Sequence, residues 1–257
     1  MSLADPRLIA VVGAKGGCGA TTLTVHLGAE LASTRGVCVI DLDFGRGDLA
    51  GLLNLEAPSS IPTLLAGPLD AARLRGSAAH HVSGLVALVQ PTSLRDAVHP
   101  SKGDVTRLLQ VARETWDLVL VDCGDRVDEP MIEALNLADR VILVMTPDVL
   151  AVRDVVRLRD LRQGLGIPEE KEWIVLNKLS RHPALSLEDV EDLLRVRASA
   201  TLAEDTPAIN LAVIQGKALR DVAAGSNLGR EFATLWARLT GEAAPLRRRT
   251  SWLGGWT

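Results

Sequence analysis

The amino-acid sequence predicts an α/β fold, built on one mostly parallel, twisted sheet with helices on both faces. The first observation is that short runs rich in valine and isoleucine alternate with helical patterns along the whole chain. Parallel strands need crossover helices of this kind, and strands buried on both faces are apolar throughout. The second observation is that polar residues follow strands all along the chain. Since ligands bind at the carboxyl ends of such strands, one domain with one site is expected.

The predicted strands are short, and helical patterns separate them. The first two strands, 8–12 and 37–40, flank a helix at 21–34. Prolines and glycines then limit 44–76 to a loop with short helical pieces. The other strands are 85–89, 118–121, 141–145, 172–176 and a weaker one at 197–202. The other helices are 104–115 with Ser101 as its cap, 129–137, 151–165, 186–194, and the stretch after the last strand up to Thr240.

The composition argues against several classes of function. The chain has 257 residues and a net charge of −4, so no overall attraction to nucleic acid is expected. Aromatic residues make up only 3% and tyrosine is absent, which disfavours a base-stacking surface. Three scattered cysteines indicate free thiols in a reducing compartment. The start of the chain is polar, and no apolar run approaches the ~18 residues of a membrane span, so a cytoplasmic protein is expected.

A glycine-rich stretch, G-A-K-G-G-C-G-A-T-T at 13–22, follows the first strand and leads into the first helix. In this context backbone N–H groups and the helix N-terminus can hold a phosphate. We take Gly13 and Gly19 as the two glycines of the G-x-x-x-x-G pattern. Ala20 then stands where the lysine belongs, and the Thr21 hydroxyl is expected to bind Mg²⁺. The expected nucleotide contacts in this loop are Gly13, Lys15, Gly16, Gly17, Cys18, Gly19, Ala20, Thr21 and Thr22.

Carboxylates end two of the predicted strands. Asp43 ends the second strand and can order a Mg²⁺ shell or an attacking water, and Asp122 ends an apolar strand expected opposite the phosphate loop, where a metal-side carboxylate would lie. The predicted metal ligands are therefore Thr21, Asp43 and Asp122. The competing interpretation is a helix cap or a solvated strand end, especially for Asp41 and Asp48, and a turn residue for Asp122.

A further polar pair, Asn177-Lys178, follows a strand near the end of the sheet, where a base could be recognised. Guanine-binding N-K-x-D sequences place a carboxylate two residues after the lysine, and here that residue is Ser180. Adenine is therefore favoured over guanine. The alternative is that these residues only begin a loop.

Other candidate features point to packing rather than to chemistry. Cys123 lacks partners at metal-ligand spacing and is expected to be a buried free thiol. His26 is expected to pack or to lie on the surface. Domain boundaries are placed at 1–243 for the nucleotide-binding domain and 244–257 for a basic, tryptophan-containing tail expected to be flexible. Residues 246–257 could contact a membrane surface or a partner, and the alternative is a disordered terminus.

With Lys15-Gly16-Gly17 and the strand-end carboxylates, the chain resembles the ParA/MinD family of deviant Walker ATPases from about residue 7 to 241. The resemblance extends over V-I-D-L-D at 39–43 with Gly45 and Leu49, over 146–154, and over 185–191. It implies a P-loop NTPase three-layer sandwich that binds ATP and Mg²⁺. The residues that the resemblance marks are Asp43 and Lys15 as catalytic, Asp122 as the second-switch aspartate, and Asn177, Lys178, Glu204 and Asp205 on the base side.

The resemblance also implies a homodimer in which Lys15 reaches the nucleotide of the partner subunit. Two departures matter. Ala20 replaces the loop lysine, and D-C-G-D-R at 122–126 lacks the family's glycine four residues after the aspartate. Both are reminiscent of the CpaE/TadZ branch of pilus-assembly proteins and of cellulose-synthesis accessory ATPases. We expect weakened ATP binding and slow hydrolysis.

The expected role is to position a pilus, secretion, division or other cell-envelope assembly from the cytoplasm, with peripheral membrane contact. One alternative is a constitutively dimeric scaffold that does not hydrolyse ATP. Another is a DNA-partition ATPase, for which Lys217, Arg220, Arg230 and Arg238 supply local positive charge. An iron–sulfur reductase is discounted, because Cys18 and Cys123 lie within or beside the predicted nucleotide site.

Overall fold

The computed structural model describes residues 6–44, 46–96 and 99–240. They form an eight-stranded sheet with the strand order β3-β4-β2-β5-β1-β6-β7-β8. All neighbouring pairs are parallel except β3 and β4. The strands are β1 (Leu8–Gly13), β2 (Val37–Asp41), β3 (Ala79–His80), β4 (Val86–Leu88), β5 (Leu118–Asp122), β6 (Arg140–Met145), β7 (Glu172–Leu179) and β8 (Ala200–Ala203).

Helices cover both faces of this sheet, so the predicted α/β architecture is confirmed. They are α1 (Ala20–Leu31), α2 (Leu49–Leu52), α3 (Ile61–Leu65), α4 (Ala71–Ser77), α5 (Lys102–Thr115), α6 (Glu129–Leu137), α7 (Val149–Gly164), α8 (Leu187–Leu194), α9 (Thr206–Gln215), α10 (Leu219–Val222) and α11 (Asn227–Thr240). Short 3₁₀ turns occupy Leu94–Asp96 and Glu169–Lys171.

Two hydrophobic cores lie on the two faces of the sheet. Alternate residues of β1 point to opposite sides, so Ala10 belongs to the core under α5–α8 and Val11 to the core under α1 and α9–α11. Every residue of β1 is buried. This explains why the strand is a continuous apolar run instead of an alternating one.

Polar side chains at the helix N-termini fix where the helices begin. The Ser101 hydroxyl accepts a hydrogen bond from the Asp104 amide, and the Asp104 carboxylate accepts one from the Ser101 amide in return. Ser186 and Asp189 form the same capping box at α8. These reciprocal bonds satisfy amides that a helix leaves unpaired, and the predicted Ser101 cap is confirmed.

The sequence-based boundaries were wrong at the two edges of the sheet. The antiparallel edge strand β3 was not predicted, since only two residues form it. At the other side β7 continues to Leu179 with an irregular register, so Asn177 and Lys178 lie inside the strand and do not follow it. The weak strand predicted from 197 begins at Ala200. Strand propensity depends on the neighbours of each residue in the sheet, so pattern alone marks strand ends poorly.

Strand order places the candidate site. β1 lies between β5 and β6, so the loop after β1 is flanked by the carboxyl ends of both neighbours. In the described residues no helix is long and apolar enough to cross a membrane. Gly45 and the predicted tail, 244–257, lie outside the described residues.

Candidate functional site

The loop between β1 and α1 is held in a conformation that needs glycine. Gly17 and Gly19 have φ angles of 77° and 93°, in the left-handed region. A Cβ on Gly19 would lie 2.4 Å from Asn177 Nδ2, whereas one on Gly17 would meet nothing within 4 Å. Asn177 Nδ2 donates to the Cys18 carbonyl at 2.8 Å, and Lys178 Nζ donates to the Gly17 carbonyl at 2.7 Å. Strand β7 therefore holds the outside of the loop.

The assignment of Gly13 to the phosphate-loop pattern was wrong by one position. Five residues separate Gly13 from Gly19, and the pattern allows four, so its first position falls on Ala14. Gly13 has a different reason to be glycine. A Cβ there would lie 2.9 Å from Cys18 Sγ, and the Gly13 amide donates to the Gly124 carbonyl at 2.8 Å.

A cavity of about 360 Å³ opens over this loop, within the size range of ligand sites. It brings together almost all of the residues that the sequence predicted. These are Gly13, Lys15, Gly16, Gly17, Cys18, Gly19, Ala20, Thr21, Thr22, Asp43, Asn177, Lys178, Glu204 and Asp205. Lining residues that the sequence analysis missed include Arg46, Asp48, Asp125, Ile209, Asn210, Leu228 and Phe232.

Asp122 lies behind the loop, buried, with its carboxylate hydrogen-bonded to the Thr21 side chain. Burial raises the pKa of Asp122 to about 6, and the charges of Asp43 and Asp48 act in the same direction. The hydrogen bonds from Thr21 and Gly124 act against this shift and lower the pKa of Asp122. Its Oδ2 atom has no hydrogen-bond partner among the described residues. A buried, unsatisfied carboxylate oxygen beside a threonine hydroxyl suits Mg²⁺ or a water bound to it.

Asp41 is a site residue that the sequence analysis undervalued. The solvated strand end considered for it is wrong, because the residue is fully buried at the end of β2. Its Oδ1 accepts from the Asp43 amide at 3.0 Å, and its Oδ2 has no partner among the described residues. Burial, together with the Asp122 charge, holds the pKa of Asp41 well above its usual range. Its position in an apolar strand, two residues before another aspartate, was the available signal.

Asp43 is half-buried and faces the loop after β5. A Cβ on Gly124 would lie 2.8 Å from the Asp43 carboxyl carbon, and Gly124 has a φ of 63°. Glycine at 124 thus lets the two strand ends approach each other. Asp48 occupies the N-cap position of α2 without a side-chain capping bond and is exposed.

Lys15 is paired within its own chain. Its Nζ lies 3.0 Å from Asp148 Oδ2, and both side chains are about one-third exposed. Asp148 also caps α7, accepting from the Ala151 amide at 3.0 Å and from the Thr146 hydroxyl at 2.6 Å. Burial works to raise the pKa of Asp148, but these hydrogen bonds and Lys15 together lower it. Lys15 therefore points across the cavity mouth toward α7.

The far end of the cavity has an apolar wall. Ile209, Leu228 and Phe232 line it beside Asn177. Asp205 accepts from the Ala208 amide at 3.2 Å as the cap of α9, and the Glu204 amide donates to the Leu179 carbonyl at 3.1 Å. Apolar side chains next to a few polar groups are typical of a pocket for a small organic ligand.

The cysteines and His26 are packing residues. Cys18, Cys38 and Cys123 are all free and buried, and burial raises the pKa of each thiol. The buried thiol predicted for Cys123 is confirmed. His26 is buried in α1, where its Nδ1 accepts from the Leu219 amide at 3.2 Å, and burial lowers its pKa to about 4. It connects α1 to α10.

Comparison with known proteins agrees with this geometry. Residues 9–216 match the model of the CobQ/CobB/MinD/ParA nucleotide binding domain. A septum site-determining protein MinD from Synechocystis is 30% identical over 250 residues, which cover 93% of this chain and 91% of that protein.

Two solved structures have the same fold at lower identity. A ParA family ATPase from Chlorobium tepidum superposes with a TM-score of 0.84 at 22% identity, covering 90% of this chain and 98% of the other. A septum site-determining MinD complexed with Mg-ADP, from Pyrococcus horikoshii, gives 0.78 at 20% identity, covering 91% and 94%. The predicted P-loop NTPase sandwich is thereby confirmed. The chain belongs to the CobQ/CobB/MinD/ParA family of nucleotide-binding domains.

Proposed function

We propose that this protein binds Mg-ATP, dimerises around it and hydrolyses it slowly. One observation carries the proposal: the glycine-rich loop of the cavity leads into Thr21, whose side chain is hydrogen-bonded to the buried Asp122. Asp122 Oδ2 has no hydrogen-bond partner among the described residues and is suited to a metal ion. Loop amides and the N-terminus of α1 would hold the phosphates. Thr21 and Asp122 would lie on the metal side. Bound Mg²⁺ would supply positive charge to the phosphates.

The base would lie at the apolar end, between Ile209, Leu228 and Phe232. Asn177 already donates its amide to Cys18, so its carbonyl oxygen remains the group available to an exocyclic amine. Adenine carries such an amine at C6, where guanine carries a carbonyl oxygen, so this acceptor favours adenine at that position. Glu204 and Asp205 would border the same end.

Slow turnover follows from Ala20. A loop lysine neutralises the β- and γ-phosphates, and a comparable cation contributes about 10³–10⁵ in rate in related phosphoryl transfers. Asp43, held against Gly124, would orient the attacking water. Binding survives because the amides, the helix terminus and the metal side do not depend on position 20.

Dimerisation is proposed at the cavity mouth. Val127, Val149 and Leu150 are each more than half exposed, and the last two follow Asp148 at the start of α7. Exposed apolar side chains around Lys15 would be covered by a second copy, in which Lys15 exchanges Asp148 for the partner's phosphate. The assembled dimer would then recruit a pilus, secretion, division or other envelope complex, with 246–257 as the membrane-facing segment.

The experiment measures oligomeric state by light scattering after size exclusion, with no nucleotide, Mg-ADP and Mg-ATP, and phosphate release in parallel. A dimer that forms only with Mg-ATP, and is lost in Lys15→Ala, supports the proposal. Thr21→Ala should weaken ATP binding in the presence of Mg²⁺ and have little effect without it. A monomer under every nucleotide condition would rule the switch out.

Ala20 also favours a second candidate, a scaffold that is dimeric without nucleotide. It predicts the same dimer under all three conditions and no phosphate release by the wild type or by Asp43→Ala. The same scattering experiment separates the two candidates.

A further inference from the structure

Because position 20 is alanine, the phosphate loop lacks the positive charge of its usual lysine, and another basic residue of this chain can supply that charge. Among the described residues, three basic side chains line the cavity: Lys15, Arg46 and Lys178. Two of them already make short contacts. Lys15 lies 3.0 Å from Asp148, and Lys178 donates to the Gly17 carbonyl at 2.7 Å.

Arg46 is held much more loosely. Its Nη1 lies 3.7 Å from Asp125 Oδ1, beyond hydrogen-bond distance, and its side chain is 55% exposed. The guanidinium also lies directly against the phosphate loop. A Cβ on Gly16 would be 3.4 Å from Arg46 Nη2 and 3.2 Å from Asp125 Oδ2. This weak ion pair therefore rests on the loop backbone at the cavity edge.

The backbone connects Arg46 to Asp43. The Arg46 and Gly47 amides donate to the Asp43 carbonyl at 3.3 Å and 3.0 Å, so Asp43 and Arg46 share one tight turn. The proposed role of Asp43 is to orient the water that attacks the terminal phosphate. A guanidinium in the same turn is thus on the terminal-phosphate side of the loop.

We infer that Arg46 takes the place of the missing lysine. It separates from Asp125 and binds the terminal phosphate of a nucleoside triphosphate. This inference rests on the proposed ATP binding. The planar guanidinium matches phosphate oxygens in a two-pronged contact. Asp125 has the opposite effect, because it competes for Arg46 and its own charge repels the phosphates. Binding of a triphosphate therefore breaks the ion pair between Arg46 and Asp125.

The test is equilibrium titration with a fluorescent N-methylanthraniloyl ATP and the matching ADP, both with Mg²⁺. Arg46→Ala should bind the ATP probe about 10- to 100-fold more weakly and the ADP probe less than about 3-fold more weakly. Arg46→Lys should retain part of the affinity. Asp125→Asn should tighten the ATP probe by about 3- to 10-fold.

Arg126→Ala is the matched control, since Arg126 is exposed next to Asp125 and does not line the cavity. It should change neither affinity by more than about 2-fold. Ala20→Lys combined with Arg46→Ala should restore ATP binding, because a lysine at 20 returns the charge that Arg46 supplied. Thermal unfolding of each variant shows that the fold is retained.

Unchanged ATP affinity in Arg46→Ala, an equal loss in Arg126→Ala, or an equal loss for both probes would overturn the inference and leave ATP binding standing. A wild type that binds neither probe would overturn both the proposed function and the inference.

Discussion

The two sides of the cavity differ in how their charges are satisfied. On the metal side, Thr21, Asp41 and Asp122 are close together, and both carboxyls are buried with an oxygen that has no partner among the described residues. At the mouth, the charged groups are partly exposed and are already paired within the protein, Lys15 with Asp148 and Arg46 with Asp125. Under the proposed function, the metal side therefore offers buried oxygens to a ligand before it binds, whereas the charge pairs at the mouth exchange partners when it binds.

The largest effect is expected at Gly19, in the loop that leads into Thr21 on the metal side. Gly19→Ala should abolish nucleotide binding and destabilise the fold by about 2–4 kcal/mol, because a Cβ would overlap the Asn177 amide and the backbone would hold alanine at φ 93°. Binding is followed by probe titration and stability by urea unfolding.

Gly17→Ala is the matched control for backbone strain alone. Its φ is 77°, but its Cβ would meet nothing within 4 Å. The expected cost is about 1–2 kcal/mol with binding retained. Equal effects of the two substitutions would contradict the role given to the contact between β7 and the loop.

The pH dependence of stability tests the burial of Asp122 on the metal side. Its folded-state pKa of about 6 lies above the ordinary value of 3.8, so the folded protein holds the proton more tightly than the unfolded chain does. Without ligand, stability should therefore rise as pH falls from about 6 to 4, by up to about 3 kcal/mol from this group. Asp41 should act in the same direction. The measurement is urea unfolding of the protein without nucleotide at several pH values.

Asp122→Asn should remove part of that pH dependence and stabilise the ligand-free protein near pH 7 by about 1–3 kcal/mol. It should also remove most of the Mg²⁺ dependence of ATP affinity, because the amide is a poor metal ligand. A variant that is less stable near pH 7 than the wild type, or one that keeps the full effect of Mg²⁺, would contradict the metal-side assignment.

At the mouth, a substitution of Asp148 can remove its ion pair with Lys15. Asp148→Asn preserves the capping of α7, since asparagine caps helices as well as aspartate does, but it removes the charge that holds Lys15. Stability should change by less than about 1 kcal/mol. Dimerisation should need about 3- to 10-fold less ATP, because Lys15 no longer leaves an ion pair. Light scattering during ATP titration measures this.

Asp154→Asn is the control on the same helix, where Asp154 pairs with the exposed Arg157 at 3.3 Å. It should leave the ATP requirement for dimerisation unchanged. If Asp148→Asn behaves like Asp154→Asn, the pair at the mouth does not restrain Lys15.

Sequence reasoning succeeded where one local pattern decides the outcome. The strand, glycine-rich turn and helix predicted within 8–34 are present, and the apolar runs of β1 and β5 lie inside the sheet as predicted. It failed where partners far apart in sequence decide. Burial of Asp41 depends on packing by β5, and the Arg46–Asp125 contact joins residues from separate loops. The miscounted Gly13 was a different error, since the correct position was readable from the sequence.

The smallest expected effect comes from comparing glycine substitutions at Lys178 and Arg195. The comparison separates the contact of Lys178 with the loop from the relief of backbone strain. Lys178 and Arg195 both have a φ of 55°, and Arg195 ends α8. Arg195→Gly should stabilise the protein by up to about 1 kcal/mol, since glycine suits a left-handed helix end. Lys178→Gly gains the same relief but loses the ammonium bound to the Gly17 carbonyl at 2.7 Å. It should therefore show little net change in stability and an ATP affinity weaker by about 2- to 5-fold, at most ~1 kcal/mol. Equal stabilisation and unchanged affinity in both variants would mean that β7 holds the loop through Asn177 alone.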